Sequence, residues 1–282
     1  MTQREERPMD AAQIQRLANR RRADAITMIH LAGTGHTGGA MSVLDILSVL
    51  YYDVLKVDPM RPDWEERDRF LLSKGHCVEG YLAILADLGF FPKQNLKSFS
   101  QAGSLLIGHP NNAIPGVEMC SGALGHGLSA GVGMALAGKR MKRDYRTFVV
   151  MGDGEQAEGS IWEAAMAAAN YGLDHLFAIV DRNGLQISGE TEKVMALESF
   201  ADKWKAFGWE VDEVDGNDPA QLLDYFHRPK NHTKPHCLIA HTVKGKGLPY
   251  AENQAQWHHK VPDAQQLRAG YESLGVEGVE WL

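Results

Sequence analysis

A three-layer α/β domain built around a mainly parallel sheet is the fold class this sequence predicts, and two observations predict it. Short apolar runs typical of buried strands alternate with helical segments along much of the 282 residues, the pattern of helices packed on both faces of a sheet. Two of those runs, TFVVM at 147–151 and LFAIV at 176–180, end in the polar turns Gly152-Asp153-Gly154 and Asp181-Arg182-Asn183-Gly184, with an alanine-rich stretch between them. That is a strand–turn–helix–strand unit with oxygen ligands at the carboxyl ends of both strands, where open parallel sheets bind ligands.

In chain order, a polar leader to about Met9 gives way to a helix over Asp10 to Ala32, with Ile14, Leu17, Ala18, Ala25, Met28 and Ile29 on one face. The glycine-rich break Thr34-Gly35-His36-Thr37-Gly38-Gly39 precedes a second helix, Ser42 to Val54. A strand at Phe70 to Leu72 runs into Ser73-Lys74-Gly75-His76, and helical periodicity resumes over Val78 to Leu88. After an irregular region containing Gly108-His109-Pro110, the segment Ser121 to Gly127 opens a helix that continues to about Arg140. Its small residues suit tight packing in a core or subunit contact. The alanine-rich helix spans Ser160 to Tyr171; strands at Trp209 to Val214 and His236 to His241 then flank a helix near Pro219 to His227. Residues 10–262 read as one domain, with 263–282 as a C-terminal tail.

Composition excludes several functions. A net charge of −7 leaves no electrostatic footprint for nucleic acid or an anionic membrane. The cluster Arg20-Arg21-Arg22 falls within an amphipathic helix pattern and reads as a solvated face. Cys77, Cys120 and Cys237 are too scattered for a disulfide framework or zinc site, and the default compartment is a reducing cytoplasm. No apolar stretch reaches the ~18 residues of a membrane span, and MTQREERPMD is unlike a secretory signal.

The strand-end residues Asp153 and Asn183 lie thirty positions apart. A hard dication takes about six oxygen ligands, commonly from one or two side chains and from phosphates, and Asp153, Asn183 and a carbonyl just beyond Asn183 can supply the protein's share. Gly-Asp-Gly alone is equally a tight turn; the Asn-Gly at the second strand end is what makes the pair a metal–diphosphate cradle. His36, His76, His109 and His258 stand beside glycine or at element ends, where a ligand can approach and an imidazole can move protons. His126 is a weaker fifth, while His227, His232 and His236 read as surface or strand-edge residues. Lys244 and Lys246 in HTVKGKG suit a nearby phosphate or a solvated loop equally.

These motifs carry a resemblance. GTGHTGGAMS at 33–42, LSKGHCVEGYLA at 72–83, GHPN at 108–111, SGALGHG at 121–127, GDGEQAEG at 152–159, DRNGLQISG at 181–189 and WHHKVP at 257–262, in that order, resemble the N-terminal, diphosphate-binding subunit of a split transketolase. The resemblance implies the thiamine diphosphate-binding fold and a reaction that moves a two-carbon ketol unit from a ketose, phosphorylated or otherwise acidic, to an aldose. It also implies that the cofactor carries the carbanion chemistry. By the same resemblance Asp153 and Asn183 hold Mg²⁺ or Ca²⁺ with the carbonyl of Leu185, and Gly154 and His76 contact the diphosphate. Gly122, Ala123 and Leu124 border the cofactor rings, and Ile187 is the aliphatic wedge that holds them bent and so lowers the entropic cost of orientation. His36 and His258 are implied in proton transfer and substrate binding, with His258 also near the cofactor, and His109 in holding the donor's C1 hydroxyl. Glu158 resembles the interface acid that meets the pyrimidine-activating glutamate of the other domain, besides suiting a helix N-terminus.

Departures from the family pattern are Ala123 and His126, where full-length members often carry Pro and Gln, and His259, where Gly is common. With the pyrimidine-binding domain not accommodated after Pro262, the expectation is that a separate C-terminal subunit completes the enzyme in an α₂β₂ assembly. Two alternatives stand beside this reading: another thiamine diphosphate enzyme subunit, of the dehydrogenase E1 α or deoxyxylulose phosphate synthase type, or a noncatalytic cofactor-binding regulatory partner.

Overall fold

The computed structural model describes residues 9–282, so the leader lies outside the described residues except for Met9, which packs against the core. Helix α1, Ala11–Ala32, begins at a capping box in which Asp10 accepts from the Gln13 backbone and Gln13 reaches back, satisfying orphan amides of the first turn. Gly33 closes it in the left-handed region. Helix α2, Thr37–Val49, starts earlier than the sequence predicts and ends in a wider turn over Leu50–Val54. The glycines read as a break are helical because neighbours crowd them: a Cβ on Gly39 would sit 2.7 Å from the Cys77 sulfur. His36 thereby becomes the residue that opens α2.

Strand β1, Arg69–Leu72, leads to helix α3, Val78–Leu88. Helix α4, His126–Met141, precedes strand β2, Thr147–Gly152; helix α5, Gly159–Asn170, precedes strand β3, Leu176–Arg182. A small antiparallel hairpin follows, β4 at Leu185–Gln186 and β5 at Gly189–Glu190. Then come α6 at Thr191–Val194, α7 at Phe200–Ala206, strand β6 at Glu210–Asp215, helix α8 at Pro219–His227, strand β7 at His236–His241 and helix α9 at Ala264–Leu274.

The main sheet runs β1-β2-β3-β7-β6 with every pairing parallel. Side chains alternate across it as strand geometry requires. Phe148, Val150, Phe177, Ile179, Leu238 and Ala240 face one core with α1, α2, α3 and α8, while Val149, Met151, Ala178, Val180, Cys237 and Ile239 face the other with α4, α5 and α7. These are the three layers the sequence predicts.

Two local expectations change. Arg21 and Arg22 are buried, not on a solvated face. Arg22 pairs with the buried Asp45 at 2.6 Å and donates to the Met41 carbonyl, and Arg21 pairs with Asp24 and Asp87, because burying guanidinium requires such partners. The segment 263–282, set apart as a tail, forms α9 and packs on α1; Leu274 and Trp281 are buried in the same core, and the Trp281 indole donates to Asp24 at 2.7 Å.

Candidate active site at the carboxyl edge of the sheet

The carboxyl ends of β1, β2, β3 and β7 open onto a cavity of about 450 Å³. Asp153 follows β2 and lies on its floor, 2% exposed. It accepts from the Gly184 amide at 2.6 Å, the Gly154 amide at 2.8 Å and the Arg182 guanidinium at 3.2 Å. Asn183, directly after β3, lines the same floor, its amide oxygen accepting from the Leu185 amide at 3.2 Å. The two strand-end residues and Leu185 are thus brought together. Burial, joined by the Asp181 charge, pushes the Asp153 carboxyl up despite the opposing backbone donors and Arg182.

Two ammonium groups enter the cavity. Lys74, after β1, is ion-paired with the fully buried Asp181, which also accepts from Ser42 at 2.6 Å and from Thr242. Burial opposes the charge on Lys74, but Asp181 more than offsets this and its pKa is raised. Lys244 differs. It is 2% exposed, has no carboxylate partner among the described residues, and its amine meets the His258 ring at 3.2 Å. Burial first, then Lys74, lowers its pKa. The loop reading of Lys244 therefore gives way to a place inside the site.

His36, His76, His109, His258 and His259 surround the upper part. Ring centroids lie 4.3 Å apart for His36–His259, 5.0 Å for His76–His258, 5.6 Å for His36–His258 and 5.9 Å for His36–His109. Burial, then Lys244, His259 and His36, holds His258 down at about 3. His76 is lowered well below its ordinary range by burial and Lys74, and His109 and His259 are lowered by burial and by His36. These four are neutral near pH 7, able to accept or donate one hydrogen bond per ring nitrogen.

Gly154, Gly122 and Leu124 line the wall, whereas Ala123 is exposed and does not. Ile187 stands on the β4–β5 turn at the cavity lip, 64% exposed. Glu158 is exposed at the start of α5 and outside the cavity wall. His126 is exposed at the start of α4 and also outside it. His236 is not a surface residue: it is 1% exposed and stacks on Phe177 at 4.8 Å.

Sequence reasoning missed two acids. Glu155 is buried and organises the loops, accepting from Ser73, from the Gly125 amide at 2.8 Å and from the Gly152 amide at 3.0 Å. Glu79 on α3 is fully buried beside His36. Glu155 sits in GDGEQAEG, where a short-range acid after a tight turn was the available signal. Glu79 lies in the first turn of α3, where an acid suits the helix N-terminus, and only its contact with His36 sets it apart.

The family described as transketolase, thiamine diphosphate binding domain, matches residues 13–280. The chain belongs to this family. It is 50% identical over 260 residues to an apulose-4-phosphate transketolase subunit of Phocaeicola vulgatus, covering 92% of each chain. It is 38% identical over 267 residues to a 6-deoxy-6-sulfo-D-fructose transketolase subunit of a Clostridium species, covering 94% of this chain and 97% of that one. Among solved structures it resembles the transketolase of Campylobacter jejuni with a TM-score of 0.89 and 31% identity, covering 95% of this chain and 43% of that one. The chain therefore spans nearly the whole of the subunit-type relatives and less than half of the solved transketolase. These matches favour transketolase over the dehydrogenase and deoxyxylulose phosphate synthase readings.

Proposed function

We propose that this transketolase-family chain is the cofactor-binding subunit of a two-subunit transketolase, transferring a two-carbon ketol unit from an anionic ketose to an aldose. The observation that carries the reading is Lys244: a buried ammonium without a carboxylate partner among the described residues, at the rim of a floor made by Asp153 and Asn183. Leaving such a charge unpaired costs several kcal/mol, and a diphosphate would pair it. The hard oxygen set of Asp153, Asn183 and the Leu185 carbonyl suits Mg²⁺ or Ca²⁺, and a dication would supply the counter-charge that burial of Asp153 calls for.

In this reading His76 and the Gly154 backbone also face the diphosphate, and Gly122 and Leu124, with the neighbouring Ala123, border the organic rings. The exposed Ile187 supports them from below, since an apolar side chain at a cavity lip gains from being covered. Thiamine diphosphate supplies the carbanion chemistry when bound. The chain's own residues handle protons and hydroxyls: His36 accepts and returns the proton of the donor's 3-hydroxyl, His258 binds the donor beside it, and His109 orients its C1 hydroxyl. Glu158, exposed at the start of α5, would meet an acid of a separate C-terminal subunit, in an α₂β₂ assembly working in the cytoplasm.

An anionic donor is supported by two relatives whose names specify a sugar phosphate and a sulfo sugar. The chain, mixed with its C-terminal partner, Mg²⁺ and thiamine diphosphate, is expected to transfer ketol units within a panel of phosphorylated, sulfonated and neutral ketoses, with anionic donors ahead. Absence of transfer from every donor would overturn the reading.

A further inference from the structure

Glu79 is a carboxylate with no exposed surface, on helix α3 directly behind the histidine cluster. One oxygen accepts the backbone N–H of His36 at 2.8 Å and stands 3.8 Å from the Nδ1 of the same residue. Its other oxygen has no hydrogen-bond partner, and neither has His36 Nδ1, which is itself shut away from solvent. Burying a carboxylate oxygen and an imidazole nitrogen unpaired is costly, and Nδ1 lies beside this same carboxylate. Their approach is built into the backbone: Gly35 sits at φ +150°, and a Cβ there would come 2.8 Å from the Glu79 carboxylate and 2.6 Å from Ile29. Only glycine lets the chain pass close enough for the His36 amide to reach Glu79.

We infer that Glu79 is a positioning residue that fixes His36 in the tautomer carrying its proton on Nδ1, so that Nε2 meets the substrate as a proton acceptor. A carboxylate accepts but cannot donate. The ring nitrogen facing Glu79 must therefore carry the proton, and a small change of ring angle brings Nδ1–H onto the carboxylate. His36 is otherwise ringed by imidazoles, those of His76, His109, His258 and His259. When a substrate hydroxyl gives its proton to Nε2, the O–H bond breaks, the electron pair stays on oxygen, and the resulting imidazolium faces the negative charge of Glu79. The proton then returns through Nε2 to the next alkoxide. This is the logic by which a buried acid serves a catalytic histidine elsewhere.

The inference rests on the proposed proton-transfer role of His36, and the test separates the two. Glu79→Gln keeps the size and the acceptor for the His36 amide, but its NH₂ can donate to Nδ1 and favours the opposite tautomer. Imidazole ¹⁵N spectra of the full chain near pH 7.5 are expected to show His36 unprotonated at Nε2 in the wild type and shifted toward Nε2–H in Glu79→Gln. With the partner subunit, Glu79→Gln is expected to lower kcat about 100-fold or more, while KM for the donor and the affinity for thiamine diphosphate change less than about threefold. A wild-type His36 protonated at Nε2, a tautomer unmoved by the substitution, or a kcat within twofold of wild type would each overturn the inference. Absence of ketol transfer by the wild-type pair would instead count against the proposed function, and the spectra would still decide the role of Glu79.

Discussion

Among single residues, Asp153 and Lys244 are proposed to divide the work of holding a metal and an anion. Asp153→Ala is expected to weaken Mg²⁺-dependent binding of thiamine diphosphate to the reconstituted pair by more than the ~10–100-fold typical of outer-shell metal contacts. Calorimetry checks this, and unchanged binding would remove Asp153 from the site. Lys244→Met is expected to cost about 2–5 kcal/mol of diphosphate affinity, the range for truncating one side of a buried charge pair, with binding of unphosphorylated thiamine unaffected. His258 gives a pH signature. Its folded pKa of about 3 lies below the ordinary 6.5. Between those values the unfolded chain binds the extra proton and the folded chain does not, so the stabilisation is full above pH 6.5 and falls as pH drops toward 3. The urea midpoint of the chain should decline less over that window in His258→Asn than in the wild type. Asp153, Asn183 and the glycine-flanked histidines were legible because turns and strand ends announce them. Lys244 and Glu79 were not: a lysine among glycines and an acid within a helix acquire meaning only from contacts across the fold, to His258 and His36 respectively.

Among the elements, α4 shows how small residues set a packing distance. A Cβ on Gly131 would lie 2.5 Å from Val149 of β2, whereas Gly133, exposed on the same helix, has nothing within 4 Å. Gly131→Ala should therefore destabilise the isolated chain by about 1–3 kcal/mol through overpacking. Gly133→Ala should stabilise it by about 1 kcal/mol through helix propensity alone. Urea denaturation of the two variants, with opposite signs expected, is the check. The strands of the main sheet were legible to within a residue or two at each end, since their β-branched and aromatic runs are bounded by turn residues. The start of α2 was not, because Gly38 and Gly39 signal a break locally and are helical through close packing on Lys244, Trp257 and Cys77. Helix α9 was hidden for the opposite reason: its polar sequence buries few residues, and its capping box at Asp263 and Gln266 marks the start.

Over the whole molecule, the three layers present a cavity with one well-built side. The floor formed by Asp153 and Asn183 is buried and hydrogen-bonded, while Ile187, Ala123 and Glu158 lie exposed around its mouth. A ligand bound there would gain cover from a second chain, so catalysis is expected to belong to the assembly. The chain's likeness to less than half of a solved transketolase fits that division. On the proposed function, this chain contributes half of each active site. Titrating the C-terminal partner into a fixed amount of this chain, with Mg²⁺, thiamine diphosphate and an anionic ketose present, measures it most directly. No ketol transfer without partner, a linear rise, and a plateau at one partner per chain are expected; turnover by this chain alone, or none at any ratio, would overturn the proposed division of the active site.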